Sequence, residues 1–272
     1  MNGSIKTMLL ELSSKEAAAY LKRSDLAILP LGNVEMHGPI IPLGCDTFVA
    51  HAVSLSLAQA WNAVVLPPIH YAYCGGTGSW PGSINIGPEP TIAYIKEVAR
   101  AGIRAGFKRL ILCHAHAPLG WMTTVVVRSL FFETGEIVAS LSPFGIMNKH
   151  IKEEFGRGGE DLVVLGALEI LGCNGVFDPR SNIDKCGSCV NETQDRLGQL
   201  QVAVPWLFSE DHQHTGIHSD IKPGDEKRAA SAIRKAINEL EAVPELFARH
   251  QKELTELVSK QQWQNDDIWS VK

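Results

Sequence analysis

Short apolar runs alternate along this chain with longer stretches in which apolar residues recur at helical spacing. Leu26-Ala27-Ile28-Leu29-Pro30-Leu31 is an unbroken apolar run, the pattern of a buried strand. Val64-Val65-Leu66, stopped by Pro67-Pro68, and Arg109-Leu110-Ile111-Leu112-Cys113 repeat it, and residues 136–141 are strand-like. Helical periodicity predicts a short helix over 14–22, capped by Ser13 or Ser14, and a second over 47–61 with Asp46 at or near its N-cap. Further helices are predicted over 90–106, 121–133 and 161–171, and the C-terminal region reads as two more, 223–240 and 244–260. Strands separated by helices imply βαβ units and a mainly parallel sheet. Right-handed crossovers then place helices on both faces, giving a three-layer αβα fold in the α/β class. There is no internal repeat or composition break, and the glycine- and polar-rich stretch 177–198 reads as a surface excursion. One domain over residues 1–272 is the expectation.

The pattern breaks most sharply just after the first strand. Gly32, Gly38 and Gly44, with Pro39 and Pro42, force a long irregular loop that holds Glu35 and His37 and ends at Asp46. Two carboxylates and an imidazole are ligand types that a divalent metal of hard to borderline character takes. A loop at the carboxyl end of a strand is also where open α/β folds keep their chemistry. The plainer reading is a turn whose polar side chains satisfy its own backbone. A second cluster, Cys113-His114-Ala115-His116, leaves the third predicted strand at the same sheet edge, so the two segments can converge. In extended backbone His114 and His116 point to one face, as two ligands or as a ligand and a helper.

Composition narrows the partners rather than the chemistry. The 272 residues are 45% hydrophobic and 20% charged, with a net charge of -5 and no basic run, so nothing favours nucleic acid or an anionic membrane. No stretch has the length and apolarity of a membrane span, and the N-terminus lacks a signal-peptide core, so a cytoplasmic protein is expected. The 6 cysteines are too sparse for a disulfide scaffold. Cys45, Cys74, Cys113 and Cys173 sit in apolar or glycine-rich surroundings and read as reduced, and the lone Cys186-Gly187-Ser188-Cys189 is a weak zinc or redox signal. Glu210-Asp211-His212-Gln213-His214 reads as a solvated loop, with substrate contact as its alternative. Trp80, Trp121 and Trp206 are candidate pocket walls, each with core packing as the plainer role.

Residues 30–47 resemble the creatininase family of metal-dependent amidohydrolases, whose motif has the form P-x-G-S-x-E-Q-H-G-P-H-L-P-L-G-T-D-T. Weaker echoes are Trp80-Pro81-Gly82-Ser83 and Thr215-Gly216-Ile217-His218-Ser219-Asp220. The resemblance implies a site for two divalent ions (Zn, Mn or Fe), with Glu35 on one, His37 on the other and Asp46 bridging them. The histidine of the family's N-G-H-G-G-N falls on His116. A last acidic ligand falls best on Glu160, in Gly158-Gly159-Glu160-Asp161, with Glu192 as the competing choice. Such a pair of ions activates water near neutral pH and polarises a carbonyl.

The departures are as informative as the match. The segment His114-Ala115-His116-Ala117-Pro118-Leu119 has lost both asparagines and the glycines of N-G-H-G-G-N, so the metal cluster reads as kept and the substrate pocket as rebuilt. His114 can then supply a hydrogen bond, a third imidazole ligand or a proton-transfer group, and Glu160 joins it as a candidate catalytic residue. The expected function is a metal-dependent hydrolase that opens a small cyclic polar substrate such as a cyclic amide. Ring-opening C–C hydrolysis of a keto-inositol such as 3-dehydro-scyllo-inosose is the alternative, and a catalytically silent binding protein is a second. A homo-oligomer is expected by resemblance alone.

Overall fold

The computed structural model describes residues 7–178, 192–207 and 221–260. Its core is a parallel sheet of β1 (Leu26–Leu31), β2 (Val64–Val65), β3 (Arg109–His114) and β4 (Ala139–Leu141), in the order β2-β1-β3-β4. The full-length register of β1 against β3 runs from Leu26 opposite Arg109 to Leu31 opposite His114, which sets the loops at the carboxyl ends of the two strands side by side. Side chains alternate across the sheet as strand geometry requires. Leu26 and Ile28 with Ile111 and Cys113 join one apolar cluster, while Ala27, Leu29 and Leu31 with Leu110 and Leu112 join the other.

The helices are α1 (Ser14–Leu21), α2 (Cys45–Trp61), α3 (Pro88–Arg104), α4 (Leu119–Thr134), α5 (Phe144–Phe155), α6 (Glu160–Leu171), α7 (Glu192–Gln199), α8 (Asp225–Glu239) and α9 (Val243–Ser259). Ser13 caps α1, its Oγ accepting from the Glu16 N–H while Glu16 reaches back to the Ser13 N–H at 2.7 Å. Helix α2 buries Val49, Val53 and Leu57 on one face of the sheet, with α6 and α8 packed beside it. Helices α3 and α4 bury Ile95, Ile103, Met122 and Val126 on the opposite face. The change of face follows the connection order. The chain steps from β1 to β2 in one direction and from β3 to β4 in the other, and right-handed crossovers place the two helices on opposite faces. The three-layer αβα expectation therefore holds.

Two glycines permit close approaches that matter for the site. A Cβ on Gly32 would lie 2.3 Å from the Thr47 Cα, so only glycine lets the end of β1 pass the first turn of α2. A Cβ on Gly166 would lie 2.7 Å from the Ala229 carbonyl carbon, which sets the closeness of α6 and α8. Asp46 is the second residue of α2, near the N-cap at Gly44, as the spacing predicts. Three details differ from the periodicity. Strand β4 is shorter than residues 136–141, and α7 occupies part of the stretch read as an excursion. Helix α5 is an element the pattern reading leaves out, although Phe144, Met147, Ile151 and Phe155 recur at helical spacing.

Candidate metal centre

The order β2-β1-β3-β4 makes the gap between β1 and β3 the point where the chain's crossovers diverge, and open α/β sheets form their binding crevice there. The β1 loop delivers Glu35 and His37, and its end runs into the first turn of α2, which carries Cys45 and Asp46. His114 closes β3 and His116 follows it. Glu160 arrives from the first turn of α6. All these residues except Cys45 line one cavity of about 440 Å³, with Thr77, Phe144 and Trp206 among its other walls.

The side chains fall into two groups of potential ligand atoms, each within 4.8 Å: Glu35, Asp46 and His116 in one, His37, Cys45 and Glu160 in the other. Asp46 lies between them. Its Oδ2 is 2.8 Å from His116 Nδ1 and 3.6 Å from His37 Nε2. Glu35 Oε1 is 3.4 Å from His116 Nδ1, and His37 Nδ1 is 3.3 Å from Glu160 Oε2. Glu35, His37, Asp46, His114 and His116 are all buried, and Glu160 is partly exposed toward the cavity.

A further ring of contacts aims these atoms. The Tyr73 carbonyl accepts from His116 Nε2 at 2.8 Å, which fixes that nitrogen as the N–H and turns the Nδ1 lone pair toward the carboxylates. Asn33 Nδ2 and Thr77 Oγ1 each donate to Glu35 Oε2 at 2.9 Å, leaving Oε1 to face the site. Asn33 is held in turn by the Ala72 N–H, which donates to its Oδ1 at 3.0 Å. At α6, Arg157 forms a two-pronged pair with Asp161 at 3.1 and 3.0 Å. Asn148 of α5 accepts from the Gly159 N–H at 3.0 Å, so the helix missed in the pattern steadies the turn that presents Glu160.

The electrostatics of the cluster follow from burial and mutual charge. Burial alone would raise the Asp46 carboxyl, but His37 and His116 hold it well below the usual carboxylate range. Burial opposes protonation of His116, yet Asp46, then Glu35 and the Tyr73 carbonyl, push it up to about 8. His37 is raised by Asp46 and Glu160 against the same opposition from burial. Burial lifts the Glu35 carboxyl, opposed by His116. It also lowers His114, favouring the uncharged imidazole.

The donor chemistry fits divalent cations. Three carboxylates meet in a largely buried cavity, and among the described residues lining it there is no Lys or Arg to balance them. Mixed carboxylate and imidazole donors are what Zn, Mn or Fe take. Every residue expected as a ligand, Glu35, His37, Asp46, His116 and Glu160, comes to this one place. His114 lines the cavity but belongs to neither donor group. Glu192 is exposed at the start of α7 and is not among the cavity walls. Of the three tryptophans, Trp206 is a wall, whereas Trp121 stacks edge-on against Tyr73 at 6.5 Å and Trp80 stands outside the lining. Cys186, Cys189, residues 210–214 and the echo at 215–220 lie outside the described residues.

Comparison with known proteins gives the family and the fold. The family model for creatininase, creatinine amidohydrolase, matches residues 10–167. The chain belongs to the creatininase family. Among curated relatives, a 3-dehydro-scyllo-inosose hydrolase of Thermotoga maritima is 32% identical over 106 residues, 39% of this chain and 34% of the relative. A creatinine amidohydrolase of Pseudomonas putida is 29% identical over 112 residues, 39% of this chain and 43% of the relative. A mycofactocin precursor peptide peptidase of Mycolicibacterium smegmatis is 29% identical over 97 residues, 34% of this chain and 39% of the relative. The chain therefore matches less than half the length of each of these curated relatives. Two solved creatininase structures share the fold over nearly their whole length. One, described as "Creatininase Mn", has a TM-score of 0.66 at 19% identity and covers 89% of this chain and 99% of its own. The other, a Zn-Zn type of a creatininase mutant, has a TM-score of 0.65 at 19% identity and covers 90% and 99%.

Proposed function

We propose that this creatininase-family chain is a binuclear metal-dependent hydrolase that opens a small cyclic polar substrate, a cyclic amide first among them. One observation carries the reading. Two donor groups meet at Asp46 in a cavity whose lining, among the described residues, offers the carboxylates no Lys or Arg. Glu35 and His116 would hold one ion, His37 and Glu160 the other, with Asp46 shared. Such ions supply a nucleophile from water near neutral pH and polarise a carbonyl. The chain's own residues supply the rest. Asn33 and Thr77 keep Glu35 Oε1 aimed at the site, and Tyr73 keeps His116 in the tautomer a ligand needs. His114 lines the cavity, and burial favours its uncharged imidazole, which would accept and return a proton at the leaving group. Glu160, the most exposed carboxylate of the cluster, is placed to orient the attacking water. Phe144, Pro118 and Trp206 supply apolar wall against which a ring-sized molecule would pack.

Hydrolytic C–C cleavage in a keto-inositol is the second reading. It is favoured by His114, which replaces an amide side chain with a proton carrier, and by the 32% identity to the inosose hydrolase. A cytoplasmic homo-oligomer completes the proposal; no helix among the described residues is long and apolar enough to cross a membrane. The deciding experiment combines metal analysis of protein purified without chelator with a metal-supplemented screen of cyclic amides against keto-inositols. Two ions per chain and turnover of one class are expected. Protein that takes up no divalent metal, and whose stability chelation leaves unchanged, would be the silent binding protein instead. Asp46→Ala should lose both metal occupancy and turnover, and retained activity would refute the shared role.

A further inference from the structure

Cys45 stands where the family motif has threonine, one residue before Asp46. It opens α2 and is 1% exposed. Buried free cysteines ordinarily act as small hydrophobes, and Cys113, inside the sheet, does so. Cys45 belongs to the same apolar cluster. Unlike Cys113, it is also in a donor group: its Sγ lies within 4.8 Å of a His37 ring nitrogen and a Glu160 carboxylate oxygen. The group of Glu35, Asp46 and His116 holds no sulfur.

Resting on the metal-hydrolase reading, we infer that Cys45 is a thiolate ligand to the ion held by His37 and Glu160. Coordination forms a sulfur–metal bond and releases the thiol proton to solvent. Charge supports the assignment: Glu35, Asp46 and Glu160 with a Cys45 thiolate carry four negative charges, which two divalent cations neutralise. The two ion positions then differ in kind. The sulfur-bearing position selects a thiophilic ion such as Zn, while the position of Glu35, Asp46 and His116 also accepts a harder ion such as Mn. Specificity for a mixed pair of metals is therefore set at residue 45.

The test uses the full chain, stripped with chelator, kept reduced and titrated with Co(II). Wild-type protein should develop a near-ultraviolet sulfur-to-cobalt charge-transfer band. Cys45→Thr, which restores the family residue, should bind cobalt without that band. Its Zn affinity at one of two positions should fall about tenfold or more, at least what losing an outer-shell partner costs. Cys45→Ser serves as a second variant, and Cys74→Ser, altering the thiol beside Asn33, should keep the band. Zinc-edge X-ray absorption of wild-type protein, which needs no variant, should show sulfur in the coordination shell. Two bound cobalt ions without a charge-transfer band, or a band that persists in both Cys45 variants, would overturn the inference while leaving the hydrolase reading standing. Failure to take up any divalent ion would overturn both.

Discussion

Glu35 divides its carboxylate between scaffold and site. Oε2 is committed to Asn33 and Thr77, and Oε1 faces His116. Thr77→Val removes one donor with little change in volume, so the fold should hold while metal affinity drops about 10- to 100-fold. Competition with a chromogenic chelator measures that drop, and unchanged affinity would reduce Thr77 to a packing role. The unequal legibility of these residues has a physical cause. Glu35, His37 and Asp46 were readable because ligand types stood close together in a loop that glycine and proline had made irregular. Thr77 and the Tyr73 carbonyl were not, since a hydroxyl in a glycine-rich loop and a main-chain oxygen carry no signature of residue type. Cys45 was read as reduced from its apolar neighbours in the chain, and it is a free thiol; that its sulfur comes within 4.8 Å of ligand atoms of His37 and Glu160 is a matter of three-dimensional packing that neighbours in the chain do not show.

At the scale of elements, the site depends on how closely β1 approaches α2. Gly32→Ala sets a methyl group 2.3 Å from the Thr47 Cα, backbone that a rotamer change cannot move. Overpacking of this kind costs about 1–3 kcal/mol. Chemical denaturation should register the loss, together with weaker metal binding, because Asp46 shifts with its helix. Unchanged stability would mean that the turn relaxes without moving α2. Strands and their flanking helices were legible because burial on both faces leaves β1 and β3 almost wholly apolar. Helix α5 was hidden by its setting. It follows a two-residue link from the short β4, and Gly145 near its start weakens the local helix signal.

Across the whole molecule, the ligand-bearing segments are far apart in sequence and meet only through the strand order, so order of elements located the site while the sequence left its rim undefined. Their charges also tie stability to pH. His116 is raised from 6.5 to about 8 in the folded chain by the facing Asp46 and Glu35 carboxylates, against burial. Its protonation therefore contributes stability fully below about pH 6.5, and the contribution is lost as pH rises through 8. Asp46, depressed below 3.8, contributes above that range and loses the contribution in acid. Chelated protein should thus melt at lower temperature at pH 8.5 than at pH 6.5. Metal-loaded protein should reverse the alkaline limb, because a cation binds the neutral imidazole and releases its proton. Differential scanning calorimetry with and without chelator compares the two, and parallel pH profiles would exclude His116 from the metal.

Trp206 makes the cavity optically legible. A Cβ on Gly76 would fall 2.5 Å from the Trp206 ring, so the indole lies flush against bare backbone at the cavity wall, with 40% of the residue still exposed to solvent. An indole half in water and half against protein reports the polarity of whatever replaces that water. Ligands that enter the cavity should therefore shift the intrinsic emission of the chain, and Trp206→Phe should silence the shift. The chain carries its own label-free binding sensor, readable before any ligand has been identified.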